Sequence, residues 1–204
     1  MNIEVKNPDN CLVMLETKFG VMIIKLYDQT PAHRDNFMKL VEEDFYKDLL
    51  FHRVINGFMI QGGDPNSRSA GPDAQLGSGG PSYTIPAEFN KEFIHKKGAL
   101  SAARTGDQVN PQKRSSGSQF YIVQGSTQME SGLTRIEDQK GFKYTEEQKK
   151  LYMSIGGTPF LDQDYTVFGE VIEGLDIIDK IAAVKTARGD RPLEDVKMNI
   201  KILK

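Results

Sequence analysis

The chain has 204 residues, of which 38% are hydrophobic and 26% charged, and its formal net charge is −2. That mix belongs to an ordinary globular protein with enough apolar material for one well-filled core, not to a disordered or fibrous chain. The balanced charge supplies no positive field for nucleic acid or anionic lipid, and no apolar run approaches the roughly 20 residues of a membrane span.

Taken in order, residues 11–28 form two β-branched runs around Thr17-Lys18-Phe19-Gly20, the pattern of a β-hairpin. Thr30-Pro31 then reads as an N-cap followed by proline at the first helical position, and Phe37, Leu40 and Val41 recur at helical spacing over about three turns. FHRVI and GFMIQ are short strands broken at Asn56-Gly57, and Gly62 to Pro86 is a long loop rich in Gly, Pro and Ser. Further strands are expected at Ala99–Ala102, Phe120–Val123, Val167–Val171 and 196–203, with a second helix from Gly174 to Ala183. Residues 125–158 are polar and carry a capping-box pattern at Thr145-Glu146-Glu147-Gln148, which marks a small helical insertion. Many short strands with two separated helices argue for one domain, 1–204, built as a closed or nearly closed antiparallel barrel.

A single cysteine, Cys11, rules out an intramolecular disulfide framework and fits a reducing, cytoplasmic compartment. The N-terminal MNIEVKNPDN lacks the layout of an export signal, an exported chain with its signal removed being the alternative. His33, His52 and His95 have no metal-ligand spacing, Gly117-Ser118-Gln119 is not a nucleophile elbow, and Gly77-Ser78-Gly79-Gly80 lacks the lysine of a phosphate loop. None of these points to a metal, a cofactor or covalent chemistry.

More informative is FHRVINGFMIQGGDP, which places Arg53, Asn56 and Gln61 in otherwise apolar strand material. By strand alternation, Met59 and Gln61 share one face, with Phe58 and Ile60 on the other unless the glycines bend the chain. Gln119 and Tyr121 likewise share a face, with Phe120 opposite. Two segments thus each present an amide beside a large apolar side chain, the make-up of a ligand pocket. Spacing alone leaves a solvated barrel face equally open.

FHRVINGFMIQGGD, SGSQFYIV, TPFLDQDYTVFGEV and GLDIIDKIA occur in collinear order, and together they resemble the cyclophilin family of peptidyl-prolyl cis–trans isomerases. The resemblance runs from about Leu12 to the C-terminus, interrupted at 125–158 and around Val109–Arg114. It implies a closed eight-stranded antiparallel barrel capped by two α-helices, with the active site on the outer face. It also implies an isomerase that assists protein folding and, making and breaking no bond, needs no cofactor; the lack of an obvious exposed apolar helix makes a monomer the default expectation. Carried over residue by residue, it makes Arg53 catalytic, with Phe58 and Met59 in the proline pocket, Gln61 on substrate backbone and Gly77 beside the neighbouring pocket. Ala103 is retained, Arg104 replaces an asparagine, and Gln119 matches the site glutamine. Tyr121 replaces the floor phenylalanine, Phe160 a tryptophan and Tyr165 a histidine, while Leu161 is retained.

The implied partners are proline-containing peptides and unfolded or folding proteins, with neither nucleic acid nor membrane. The alternative is a proline-peptide-binding or chaperone module with weak catalysis, which Arg104, Tyr165 and the insertion would favour. Because the tryptophan position influences binding of cyclosporin in relatives, Phe160 implies weak cyclosporin sensitivity. An inhibition titration is expected to show weak inhibition, and tight inhibition would refute the expectation.

Overall fold

The computed structural model of the chain describes residues 11–203. Strands β1 (Leu12–Thr17) and β2 (Gly20–Leu26) form the expected hairpin, and helix α1 (Pro31–Glu42) follows. Next come β3 (Leu49–Ile55), β4 (Met59–Gly62), β5 (Thr84–Ile85), β6 (Ala99–Ala102), β7 (Ser115–Ser116) and β8 (Phe120–Val123). Helices α2 (Glu130–Lys140) and α3 (Glu146–Ser154) precede β9 (Val167–Glu173), α4 (Leu175–Ala182) and β10 (Lys197–Ile202). Eight strands close an antiparallel barrel in the order β1-β10-β3-β4-β8-β6-β9-β2, while β5 and β7 pair separately.

The barrel interior is solid. Val13, Leu15, Met22, Ile24, Leu49, Ile60, Leu100, Phe120, Ile122 and Met198 are all buried inside it. Phe37, Leu40 and Val41 of α1 and Ile177, Ile178 and Ile181 of α4 join that same cluster, so the two helices seal the barrel as expected from their apolar stripes. The Phe37 and Phe120 rings meet edge to face at 5.6 Å.

Two local expectations need correcting. Thr30 occupies the N-cap of α1, but its hydroxyl donates back to the Tyr27 carbonyl at 3.3 Å and caps nothing. The helix start is capped from a distant loop: Glu88 accepts the N–H groups of Ala32 and His33, each at 3.0 Å. A carboxylate there satisfies orphan donors and also faces the positive end of the helix dipole. The second correction concerns the insertion, which holds two helices and not one small one. Thr145 and Gln148 make the reciprocal capping box expected for α3. Helix α2 starts at Met129 without a side-chain cap and ends at Gly141 in the left-handed conformation. Its start therefore carries no cap signal for a sequence reading to find.

The insertion leaves the barrel and returns to it at nearly the same point. Gly157 bridges both Ser126 and Lys96, and a Cβ on Gly125 would crowd directly into the Gly157 backbone. Its Leu133, Tyr144 and Tyr152 form a small core with Ile94 from outside the insertion, apart from the main one.

Ile60 lies fully buried inside the barrel, directly behind the outward-facing residues of β4. Ile60→Ala is expected to lower unfolding free energy by about 2–4 kcal/mol through lost burial and a residual cavity, read from urea midpoints at constant slope.

Candidate active site

Which side chains reach the outer face is decided by the register of β3 against β4. Phe51 lies opposite Gly62, but Arg53 lies opposite Gln61, so β3 spends an extra residue, His52, at a β-bulge. Regular alternation would give Phe51 and Arg53 the same face. The bulge instead lets Phe51 and Val54 join the barrel core while Arg53 and Ile55 turn outward.

From there the outer face assembles by pairing. Ile55 opposes Met59, which opposes Val123; Arg53 opposes Gln61, which opposes Tyr121; Tyr121 in turn opposes Ser101. Met59, Ala103, Tyr121 and Val123 form a second apolar cluster outside the barrel, with Phe58, Leu161 and Tyr165 packed against it. Phe58 is therefore not on the side of Ile60. It sits before β4 in the turn at Gly57, its N–H bonded to the Ile55 carbonyl at 3.0 Å, and the bend brings its ring round to the Met59 face.

Part of this outer face lines a groove of about 1070 Å³. One end is an apolar cup of Phe58, Met59, Ala103, Tyr121, Leu161 and Tyr165, with Arg53 and Gln61 at its edge. The Arg53 guanidinium is half exposed, 3.4 Å from both Gln61 Oε1 and Asp190 Oδ2. Asp190, to which no sequence motif points, adopts a positive φ of 63° in the turn before β10, and its carbonyl accepts the Val54 N–H at 2.8 Å. Beyond Arg53 the groove continues between residues 72–78 and the 187–191 loop, over His52. His52 is buried, and neither ring nitrogen has a hydrogen-bond partner among the described residues. Burial holds it below the usual imidazole range.

A line of amides sets the groove's polar edge. Gln61 Nε2 donates to Gln119 Oε1 at 3.2 Å, and Gln119 Nε2 donates to the Gly79 carbonyl at 2.7 Å. Both ends of Gln119 are thus engaged by the protein, and it stands behind Gln61 instead of on the groove wall. The loop it touches is organised by Asp64, which is fully buried and accepts the N–H groups of Asn66, Gly77 and Gly79 at 2.8, 2.6 and 3.1 Å. Close approach fixes Gly63 as well: its φ is +91°, and a Cβ there would overlap the Ser118 carbonyl.

Two further residues sit at the rim. Phe160 is 54% exposed and meets Phe58 at 5.7 Å between ring centroids, outside the groove lining. Arg104 lines the groove, yet its guanidinium lies 4.4 Å from the Tyr165 ring centroid and bonds the Asp164 carbonyl and the Asp107 carboxylate. It backs the Tyr165 wall. The Tyr121 hydroxyl also points away from the groove, 3.0 Å from His95 Nε2, and burial keeps it far above the usual phenol range.

A closed barrel that keeps its ligand groove outside, with an arginine and a glutamine at the rim of an apolar cup, is the design of a known isomerase class. The family model described as cyclophilin type peptidyl-prolyl cis-trans isomerase/CLD matches residues 12–202. A Staphylococcus saprophyticus protein, named provisionally as a peptidyl-prolyl cis-trans isomerase, is 38% identical over 200 residues, spanning 98% of this chain and 94% of its own. A Staphylococcus haemolyticus protein of the same name is 36% identical over 197 residues, covering 96% of this chain and 92% of its own. Among solved structures, a Cryptosporidium parvum cyclophilin determined in the presence of the dipeptide Ala-Pro superposes with a TM-score of 0.67 at 23% identity. That match covers 95% of this chain and 99% of its own. This chain belongs to the cyclophilin-type peptidyl-prolyl cis–trans isomerases.

Asp64→Ala is expected to leave the Gly77 and Gly79 amides without their acceptor and to cost about 1–3 kcal/mol of stability. Hydrogen exchange at those two amides should accelerate ahead of the barrel strands; unchanged protection would show that the loop holds itself.

Proposed function

We propose that the groove binds an extended Xaa-Pro segment, with the proline ring in the cup, and that Arg53 is the catalytic residue. The X-Pro bond resists rotation by ~18–20 kcal/mol because of its partial double-bond character, and it exchanges in tens to hundreds of seconds unaided. No bond is made or broken, so acceleration requires only that the twisted amide bind better than either planar form. In the twisted state the proline nitrogen pyramidalises and regains its lone pair. A guanidinium N–H from Arg53 then gains an acceptor that the planar amide does not offer, from a side chain that stays charged.

Phe58, Met59, Ala103, Tyr121, Leu161 and Tyr165 hold the ring and keep water from it, which strengthens the Arg53 hydrogen bond. Gln61 engages the substrate backbone so that one half is held while the other turns, and Gln119 steadies Gln61. Gly77 borders the next stretch of peptide. Arg104 contributes backbone contacts and supports Tyr165. Phe160 covers the rim, which accords with weak cyclosporin binding. The observation that carries this reading is the half-exposed Arg53 guanidinium held at the cup's edge by Gln61 and Asp190. The Ala-Pro dipeptide present with the Cryptosporidium cyclophilin supports the substrate class. Folding proteins, whose X-Pro bonds exchange slowly, are the proposed natural substrates.

Cis-to-trans exchange of an Ala-Ala-Pro-Phe-type peptide, followed by NMR or a protease-coupled assay, tests the reading. Arg53→Ala is expected to lower kcat/KM by about 10²–10³-fold, the usual cost of deleting one transition-state donor. Its melting point should stay near wild type, because the side chain is half exposed. A wild-type protein that binds the peptide without accelerating exchange would make it a proline-peptide binder instead.

A further inference from the structure

A buried polar cluster lies directly behind the floor of the cup. Asp162 is 1% exposed, and its Oδ1 accepts the His95 backbone N–H at 2.8 Å while facing His95 Nδ1 at 2.7 Å. Its Oδ2 accepts the hydroxyls of Tyr144 and Tyr152, both at 2.6 Å. A carboxylate has only acceptors to give, so His95 Nδ1 carries a proton and donates it. In the neutral ring Nε2 is then an acceptor, and the Tyr121 hydroxyl, 3.0 Å away, donates to it. Every gap in the chain Tyr144/Tyr152–Asp162–His95–Tyr121 therefore has one hydrogen to fill it.

Both outer tyrosines come from the insertion: Tyr144 precedes α3 and Tyr152 lies within it. A second tie runs from the end of α2. Lys140 Nζ donates to the carbonyls of Phe160 and Asp162 at 2.7 and 2.6 Å and to Asp164 Oδ2 at 2.6 Å. Lys113, from the smaller insertion, pairs with the same Asp164. Burial alone would raise the Asp164 carboxyl, but the two lysines outweigh it and hold it below the usual carboxylate range. The segment gripped in this way carries Leu161 and Tyr165, two walls of the cup.

We propose that the 125–158 insertion is a positioning device for the proline pocket. Through Tyr144, Tyr152, Asp162 and His95 it fixes the Tyr121 ring, and through Lys140 it fixes the Leu161–Tyr165 wall. The proposal rests on the groove being the isomerase site. Packing of the small core accounts for the burial of the Tyr144 and Tyr152 rings. It gives no reason for two insertion hydroxyls to converge on one carboxylate behind the floor, and positioning does. One chemical consequence follows: the Tyr121 O–H is committed to His95, so the floor meets the proline ring as a fixed aromatic surface and offers substrate no hydrogen-bond donor.

The test keeps every ring and removes only hydroxyls, comparing Tyr121→Phe, the double variant Tyr144→Phe/Tyr152→Phe, and the triple. The double variant is expected to lower kcat/KM about ten-fold, mostly through KM, and to add almost nothing once Tyr121 is already phenylalanine, because linked residues are not additive. Met153→Ala, on the exposed side of α3, should leave activity unchanged. Wild-type kcat/KM in the double variant, or full additivity with Tyr121→Phe, would overturn the proposal. An independent readout is ¹⁵N NMR of the His95 ring, which needs no catalysis. The wild type should show the Nδ1-protonated tautomer, and the double variant should shift the Nε2 resonance. An Nε2-protonated ring, or one indifferent to the double variant, would also sink the proposal. If wild type and Arg53→Ala prove equally inactive, the isomerase reading fails, while the His95 signals still decide whether the insertion reaches the cup floor.

Discussion

One extra residue in one strand decides what this barrel can do. A β-strand offers its side chains to two faces in strict alternation, and in a filled barrel one of those faces is lost to function. Phe51 and Val54 both belong inside, three positions apart, which regular alternation forbids. The bulge at His52 absorbs the odd residue, and in doing so it aims Arg53 outward at Gln61. Without it the chain would have to choose between burying an unpaired guanidinium and exposing a core phenylalanine, and either choice is costly.

Why the groove is outside and not within follows from packing. Gly62 faces inward, and a Cβ there would already collide with the Met198 methyl, so the interior has no space for a ligand. Functional side chains must therefore come from the outward phase of β3, β4, β6 and β8, supplemented by loops. The outward phase supplies Arg53, Met59, Gln61 and Tyr121; the segments between strands supply Phe58, Ala103, Leu161 and Tyr165. Asp64 is the hinge between them, because a single buried carboxylate at the end of β4 collects the amides of a loop up to 15 residues away. The amide line through Gln61 and Gln119 ends on that same loop at Gly79. The groove's polar edge is thus continuous with its most irregular segment.

Much of this was legible in the sequence, for physical reasons that can be named. Alternation correctly put Phe120 and Tyr121 on opposite faces, since β8 is paired on both sides without a break. The apolar stripe of α4 and the periodicity of Phe37, Leu40 and Val41 identified the two sealing helices, because amphipathic spacing survives in one dimension. What failed depended on partners far off in sequence. Glu88, not Thr30, caps α1 from more than 50 residues away. Phe58 turned with the chain at Gly57, and α2 began without a cap. The contact between Arg104 and Tyr165 also escaped, because nothing in the spacing places that guanidinium against the ring. Family resemblance located the cup, but nothing in residue spacing tied Asp190 to Arg53.

The contrast between the two sides of the cup bears on how such a site works. Under the proposed reading the cup is the pyrrolidine side, and it is fixed by buried apolar packing around Tyr121 and by a wall segment that Lys140 ties to α2 outside the barrel. On the other side stands Arg53, long, half exposed, and held by two contacts at 3.4 Å that sit at the outer limit of useful hydrogen-bond geometry. Rotation about one amide bond needs this asymmetry. On that reading one half of the substrate must be immobile, while Arg53, the proposed donor, must be free to follow a nitrogen whose lone pair appears only midway through the turn. A guanidinium locked at about 2.7 Å to its neighbours, the length of a strong charge-assisted bond, would have to give up those bonds to reach the twisted amide. That loss would offset the gain in the transition state. The weak tethering of Arg53 and the heavy buttressing of the cup are two halves of one requirement.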